Sequence, residues 1–420
     1  RAVSQELNYT ELEYDARQAQ IELLTYYPEK PAMAGDVIRL EFLLTNISAT
    51  IRPERVGTAS ISFPYAQMKT SITEAVWDLE DSVVTMTKPE NIPIEDSYFY
   101  TTRDDLDSLS FNADKAIYDI NSQELNVQGI PFIIVADSKI IPEGNETTIL
   151  ANSVLQRFEN AQIIIDTLNG YHYLDRASIR IWSRNKFEGN AYYQQIVGTD
   201  TFDIRFDSFE LQDVQVGEPD RKGNYATRRM TVSGGEVLEN QNVVISPGFF
   251  YKGSVIMYAS KPALELDGLV KLDLSDPDYD EWVQFKRTEG ERDVQLDFDH
   301  AIFESGEKVQ AGIHINIRDD LYSTFIEKKT GSSDPDFFRA RGMLSFIDST
   351  QTYRIENPGK TDGLSYQGTT MLYTDSLKSI VFEGMANFIS PANTQIKVQY
   401  SLLGEGYIET NEYTAEAFYA

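Results

Sequence analysis

Apolar residues recur along this chain in two rhythms. Near the start, Leu12, Ala16, Ala19, Leu23 and Tyr27 recur at helical spacing, Thr10 and Glu13 have the separation of a capping box, and Pro28 and Pro31 would end the element. One N-terminal helix is expected there. From Val37 onward the rhythm changes to period two, as in Val37 to Phe42, Ser178 to Ile181 and Ile313 to Ile317, so the remainder is expected to be strands.

Within that β pattern a unit repeats: an aromatic residue, a polar turn, then two apolar residues one apart, often followed two positions later by glycine. The fullest copy is Ala116-Ile117-Tyr118-Asp119 leading to Leu125, Val127 and Gly129. Trp77 leads similarly to Val84 and Met86, Tyr373 to Ile380, Phe382 and Gly384, and Phe346 to Tyr353 and Ile355. Tyr258 to Leu264, Leu266 and Gly268 is one residue shorter. Physically this is a strand ending on an aromatic, a tight reversal, and a return strand whose alternate residues enter the same core. The glycine would mark a bend or a close approach of backbones. Phe187-Glu188-Gly189, Tyr251-Lys252-Gly253 and Tyr366-Gln367-Gly368 each open a strand, which makes Tyr251–Leu272 and Tyr366–Phe388 look like two copies of one β unit.

The fold expected is mainly β: stacked antiparallel β units, jellyroll-like, solenoid-like or a sandwich, with one N-terminal helix. Acidic or Gly/Pro-bearing stretches at 216–223, 274–280, 329–336 and 357–363 read as surface loops. They suggest an N-terminal helix plus β domain over 1–104, a repeat-containing β domain over 105–275, a β linker domain over 276–330 and a C-terminal β domain over 331–420.

The stretch Phe111 to Asp119, continuing to Leu125, Val127 and Gly129, resembles the repeat of the OstA family, the β-jellyroll modules of lipopolysaccharide transport. Ala113 to Gly129 carries the match, with Ala75 to Met86 and Tyr373 to Gly384 as echoes. The chain as a whole resembles large envelope or secreted proteins of Bacteroidota. The resemblance implies a stacked β fold, an extracytoplasmic location (periplasm, outer-membrane-associated or cell surface) and, in the OstA case, a lipid-cradling groove.

Charge narrows the partners. With Lys+Arg 37 against Asp+Glu 66, the formal charge of -29 repels phosphate backbones and anionic membrane surfaces, and no basic stripe offsets it, so nucleic acid is not expected. The 24 Tyr and 22 Phe favour pleated, half-buried surfaces over disorder. There is no cysteine, which removes disulfides, thiolate metal sites and thiol catalysis. No apolar run reaches the length of a transmembrane span. Because it opens on Arg1 rather than Met, the chain is expected to be a mature form or an excised fragment.

Catalytic chemistry finds little purchase. Three histidines occur. Period two places His314 with Asn316 and Arg318 on a polar face, which predicts an exposed side chain; His300 ends the strand-like run Val294 to Phe298, and His172 follows Asn169-Gly170 as a turn residue. None has a second histidine at metal spacing. No nucleophile elbow, phosphate-binding loop or dinucleotide fingerprint is present. Carboxylate pairs are abundant by number alone. Asp273, Asp276, Asp278 and Asp280 lack the glycine and terminal glutamate of an EF-hand loop and read as a solvated acidic loop rather than a Ca²⁺ site. No catalytic residue, cofactor or metal is therefore assigned.

Adjacent aromatics on a strand point to opposite faces, so some rings of Tyr98-Phe99-Tyr100, Tyr192-Tyr193 and Phe249-Phe250-Tyr251 must be exposed or bury against another unit. Tyr98, Tyr100, Tyr192, Phe249 and Tyr251 are the candidate partner or ligand contacts. The expectation is a non-enzymatic extracytoplasmic scaffold or binding protein acting through protein partners or self-assembly. A lipid conduit and a glycan binder, the latter sensed by Trp77, Trp182 or Trp282, are the alternatives.

Overall fold

The structure, a computed structural model, describes residues 1–25, 30–219, 221–223, 225–287, 294–357, 360, 368–388 and 398–419. Tyr27, Pro28, Tyr366 and Gln367, which entered the helix and repeat expectations, lie outside the described residues. Contacts divide the chain into two compact units, one of residues 1–193, 204–235 and 256–262, the other of residues 194–203, 236–255 and 263–420.

The first unit is built from hairpins laid alternately into two antiparallel sheets. One sheet passes through Ser48–Pro53, Glu74–Asp78, Val83–Thr87, Lys115–Asp119, Leu125–Gln128 and Glu146–Leu150. The other passes through Ile61–Phe63, Met68–Thr70, Tyr98–Thr101, Ser110–Asn112, Ile133–Val135, Ser138–Ile141 and Phe158–Ile165. Phe63 of one sheet meets Tyr118 of the other with ring centroids 4.7 Å apart, so the sheets face each other across a shared core. Mainly β and stacked, this is the architecture that the repeated strand-turn-strand pattern predicts.

Two long strands, Glu13–Leu23 and Met33–Leu43, serve both sheets. Residues 38–43 of the second pair with Ser48–Pro53, whereas its Ala34 and Gly35 pair with Ser62 and Ile61. The chain turns the corner at bulges where Gln18 and Val37 take left-handed backbone angles (φ 47 and 54).

This bulge explains why the expected N-terminal helix is wrong. Ala16, Ala19, Ile21 and Leu23 are all buried on one face of a strand. The extra residue at Gln18 stretches one interval from two to three and so imitates helical spacing. Thr10 does what the capping-box reading requires locally, its Oγ1 accepting from the Glu13 amide at 3.1 Å, but in a hairpin turn between Glu6–Tyr9 and Glu13–Leu23.

In the second unit, Met343–Ile347, Thr352–Glu356, Thr370–Thr374, Ser379–Phe388, Val398–Tyr407 and Glu412–Tyr419 pair in sequence order. Ser379–Phe388 again joins two layers: beyond Glu383 it meets Asp336–Arg339, which pairs with Ala311–Ile315 and through it with Leu321–Phe325. Phe325 stacks on Tyr373 at 4.3 Å and lies 5.9 Å from Tyr353, placing aromatic rings at the centre of this core.

Four of the five repeat copies are hairpins in the expected register. Tyr118 opposes Leu125, Trp77 opposes Val84, Tyr373 opposes Ile380 and Phe346 opposes Tyr353. The polar residue after the aromatic fixes the reversal in the best copies: Asp119 accepts from the Asn121 and Ser122 amides at 2.7 and 2.9 Å, and Asp78 accepts from Glu80 and Asp81 at 2.9 and 3.0 Å. Among the described residues no helix is long and apolar enough to cross a membrane.

Candidate functional site

Strand alternation places the candidate aromatic residues, and it separates them. Phe99 is fully buried, leaving Tyr98 and Tyr100 half-buried on the opposite face with ring centroids 6.1 Å apart and planes tilted by 39°. The Tyr98 hydroxyl donates to the Gly57 carbonyl at 3.2 Å. Tyr192, also in the first unit, is half-buried beneath the Arg176 guanidinium at 4.5 Å. Phe249 and Tyr251, in the second unit, point inward and are each 1% exposed. Phe249 packs edge-on against Tyr353 at 5.8 Å, and the Tyr251 hydroxyl donates to the Ser254 carbonyl at 2.6 Å. These two rings are core.

Both histidines expected to lie outside the core are in fact buried. His314 is 1% exposed because both faces of the Ala311–Ile315 strand are covered, which defeats a rule that assumes one wet face. Its Nδ1 lies 2.9 Å from Asp336 Oδ1 and its Nε2 2.8 Å from Thr324 Oγ1. Asp336 also receives Lys329 Nζ at 2.7 Å. Burial raises the Asp336 pKa, but the bonds from His314 and Lys329 outweigh it and hold the carboxyl at about 2. Hydroxyl, imidazole and carboxylate in line have the order of a nucleophilic triad. Thr324 is only 3% exposed, however, so the three groups act as a polar strut across three strands.

His172 is the first residue of the strand His172–Ser183 and is fully buried rather than a turn residue. Its Nε2 lies 2.7 Å from the Lys261 carbonyl and 3.2 Å from that of Tyr258, so Nε2 carries a proton, and burial lowers the pKa of the ring. It ties residues 256–262 into the first unit, and buried Asp137, which accepts the Thr231 amide at 2.9 Å and the Thr231 hydroxyl, does the same for residues 204–235. His300 is exposed and bonds Asp297 at 2.8 Å. Among the described residues no group of three or more metal-ligating side chains assembles.

The feature that sequence reasoning missed emerges when the ladders are followed. Consecutive pairings link Tyr9, Tyr14, Phe42, Ala49, Trp77, Val84, Tyr118, Leu125 and Ile149 into one row on the inner face of a sheet. From Val84 to Ile149 every member is fully buried; Phe42 is half-buried, Tyr14 is 41% exposed and Tyr9 is 74% exposed. A neighbouring row from Val127 back through Ala116, Met86, Ala75, Ile51, Leu40 and Ala16 ends at Leu7, which is 58% exposed. Leu12, at the turn beside them, is 59% exposed. The same core-facing pattern thus continues past the point where any of the described residues covers it. Tyr9 and Tyr14 stack on each other at 6.4 Å. No protein-family model, no curated protein and no solved structure matches the chain.

Proposed function

We propose that this chain is a non-enzymatic β scaffold of the bacterial envelope or cell surface that acts through protein–protein assembly. The end of the first unit formed by Glu6–Tyr9 and Glu13–Leu23 is its docking face. The observation that carries the reading is the inner-face row running out into solvent at Leu7, Tyr9 and Tyr14. Contiguous exposed apolar surface of this kind marks an interaction site, and stacked β units need a cover at each end. The covering group is another β layer, because only a sheet presents alternate side chains at the matching spacing. The envelope placement rests on the resemblance of Ala113–Gly129 to the OstA repeat.

A lipid conduit draws less support. A lipid groove requires accessible inner walls, whereas Met86, Ala116, Tyr118, Leu125, Val127, Phe99 and Ile133 are all fully buried. A glycan platform draws little more, with Phe249 and Tyr251 in the core and the Tyr98 and Tyr100 rings not coplanar.

Leu7, Tyr9, Leu12 and Tyr14 are 58%, 74%, 59% and 41% exposed, so covering what remains of them would contribute roughly 3–7 kcal/mol at about 1.5–3 kcal/mol per fully exposed side chain, against about 4–15 kcal/mol for association. Association through this face alone is therefore concentration-dependent. Sedimentation velocity over a concentration series, paired with capture of partners from native membranes, tests the proposal. Self-association or stoichiometric capture is expected, and Leu7→Ser with Tyr9→Ser should weaken it about tenfold or more. A chain that stays monomeric at the highest attainable concentration and captures nothing, or that turns over a substrate, would overturn the reading.

A further inference from the structure

We propose that the outer face of the second unit carries an oxyanion-binding site, built on Arg339 and Arg341, that takes a phosphate group. The pattern that places them is again alternation: Phe338 and Ala340 are fully buried, so Arg339 and Arg341 project together from the opposite face. They line a pocket of about 420 Å³ with Asn357, Thr369 and Asn387. Its floor is fixed by backbone bonds, the Arg341 amide donating to Thr369 Oγ1 and the Asn357 amide to the Thr369 carbonyl, each at 3.1 Å. At Gly342 (φ +110) a side chain would run into Asn357 Cα at 2.5 Å, so glycine lets the two segments close up behind Arg341.

What singles the pair out is charge. The chain carries 66 carboxylates against 37 cations, and most arginines on these sheets have an acidic partner: Arg39 with Glu41, Arg52 with Glu41, Arg205 with Asp207, Arg354 with Glu356. Neither Arg339 nor Arg341 forms an ion pair among the described residues. The carboxylate next along that face, Glu383, is engaged by Lys360 at 2.7 Å, and Glu356 by Arg354 at 3.4 Å. Two guanidinium groups without an ion pair among the described residues, over a pocket that also holds amide and hydroxyl groups, form a donor set suited to a phosphate, whose oxygens accept from Arg in paired, charge-assisted bonds. The phosphate could reach the pocket free in solution or on a lipid headgroup; the chemistry recognised is the same.

The test uses the full chain. Calorimetric titration with inorganic phosphate is run beside co-sedimentation with phosphatidylcholine vesicles containing or lacking phosphatidic acid. Saturable binding of at least one phosphate probe is expected, weakened about tenfold or more in R339Q/R341Q. R228Q/R229Q removes the same charge from exposed positions that do not line the pocket and should change binding by less than about twofold. Free phosphate bound without vesicles identifies a soluble ligand, and phosphatidic-acid vesicles bound without free phosphate identify a headgroup. If R339Q/R341Q fails to fold, R341Q alone, at an exposed position, is judged by the same criterion. Failure of the wild-type chain to bind either probe, or equal loss in both double variants, overturns the site. Neither result bears on assembly through the Leu7 and Tyr9 face, which is read by sedimentation.

Discussion

His314 is held at both ring nitrogens, and the two bonds answer to different chemistry. With Asp336 ionised, Nδ1–H donates to the carboxylate, and Nε2 accepts from the Thr324 hydroxyl. Thr324→Val keeps the shape but strands a buried acceptor, which should cost about 1–3 kcal/mol in urea unfolding. Asp336 adds a pH signature. Its folded pKa of about 2 lies below the ordinary 3.8, so its contribution is fully present above 3.8 and is lost as pH falls toward 2. Asp336→Asn should lower stability at neutral pH and flatten the loss between those two values. An unchanged acid slope would show that other carboxylates carry it. His314 looked exposed in the sequence because alternation tells which residues share a face, not whether a second layer covers that face. The groups that enclose its ring, Tyr322, Thr324 and Asp336, come from the two neighbouring strands, and their presence is invisible in the five residues Ile313 to Ile317.

At the scale of elements, the aromatic-turn-apolar unit was readable because its parts are local. Asp119 closes its own turn within three residues, and Tyr118 pairs with Leu125 across that turn. The hairpins of the opposing sheet escaped notice because they lack the aromatic-turn signature: Phe99 opposes Phe111 across a connection containing a short 3₁₀ turn. The expected N-terminal helix, replaced by strand over Glu13–Leu23, failed for the complementary reason, since a bulge is defined by its partner strand and leaves no mark in the sequence beyond a shifted interval. Of the candidate contacts, alternation correctly separated the two faces of Tyr98-Phe99-Tyr100 but could not tell which face of Phe249-Phe250-Tyr251 was wet. The glycines in the repeat are explained by close approach. Gly253 (φ +136) has Gly268 Cα 2.6 Å from the place a Cβ would occupy, so Gly253→Ala forces backbone apart as well as straining φ. Gly198 (φ +61) has nothing within 4 Å. Thermal melts should therefore show Gly198→Ala costing about 1 kcal/mol and Gly253→Ala costing more, about 2–4 kcal/mol. Equal effects would mean that the Gly253–Gly268 contact relaxes freely.

At the scale of the whole molecule, charge and apolar ends act against each other. A chain of formal charge -29 repels its own copies, while in the proposed assembly the exposed Leu7, Tyr9, Leu12 and Tyr14 would draw a covering layer onto one end of the first unit. The balance depends on ionic strength, because repulsion between exposed charges is screened over a Debye length of about 10 Å at 0.1 M salt whereas apolar burial is not. Self-association through that end should therefore strengthen as salt rises from about 0.01 M to about 0.15 M, opposite to the trend for a protein held by phosphate contacts. The measurement is the sedimentation coefficient at fixed protein concentration across that series. Leu7→Ser with Tyr9→Ser separates the two causes: if the salt-driven rise disappears in the double variant, the apolar end is the contact. If it persists undiminished, copies meet elsewhere on the acidic surface and the Glu6–Tyr9 edge is not the docking face.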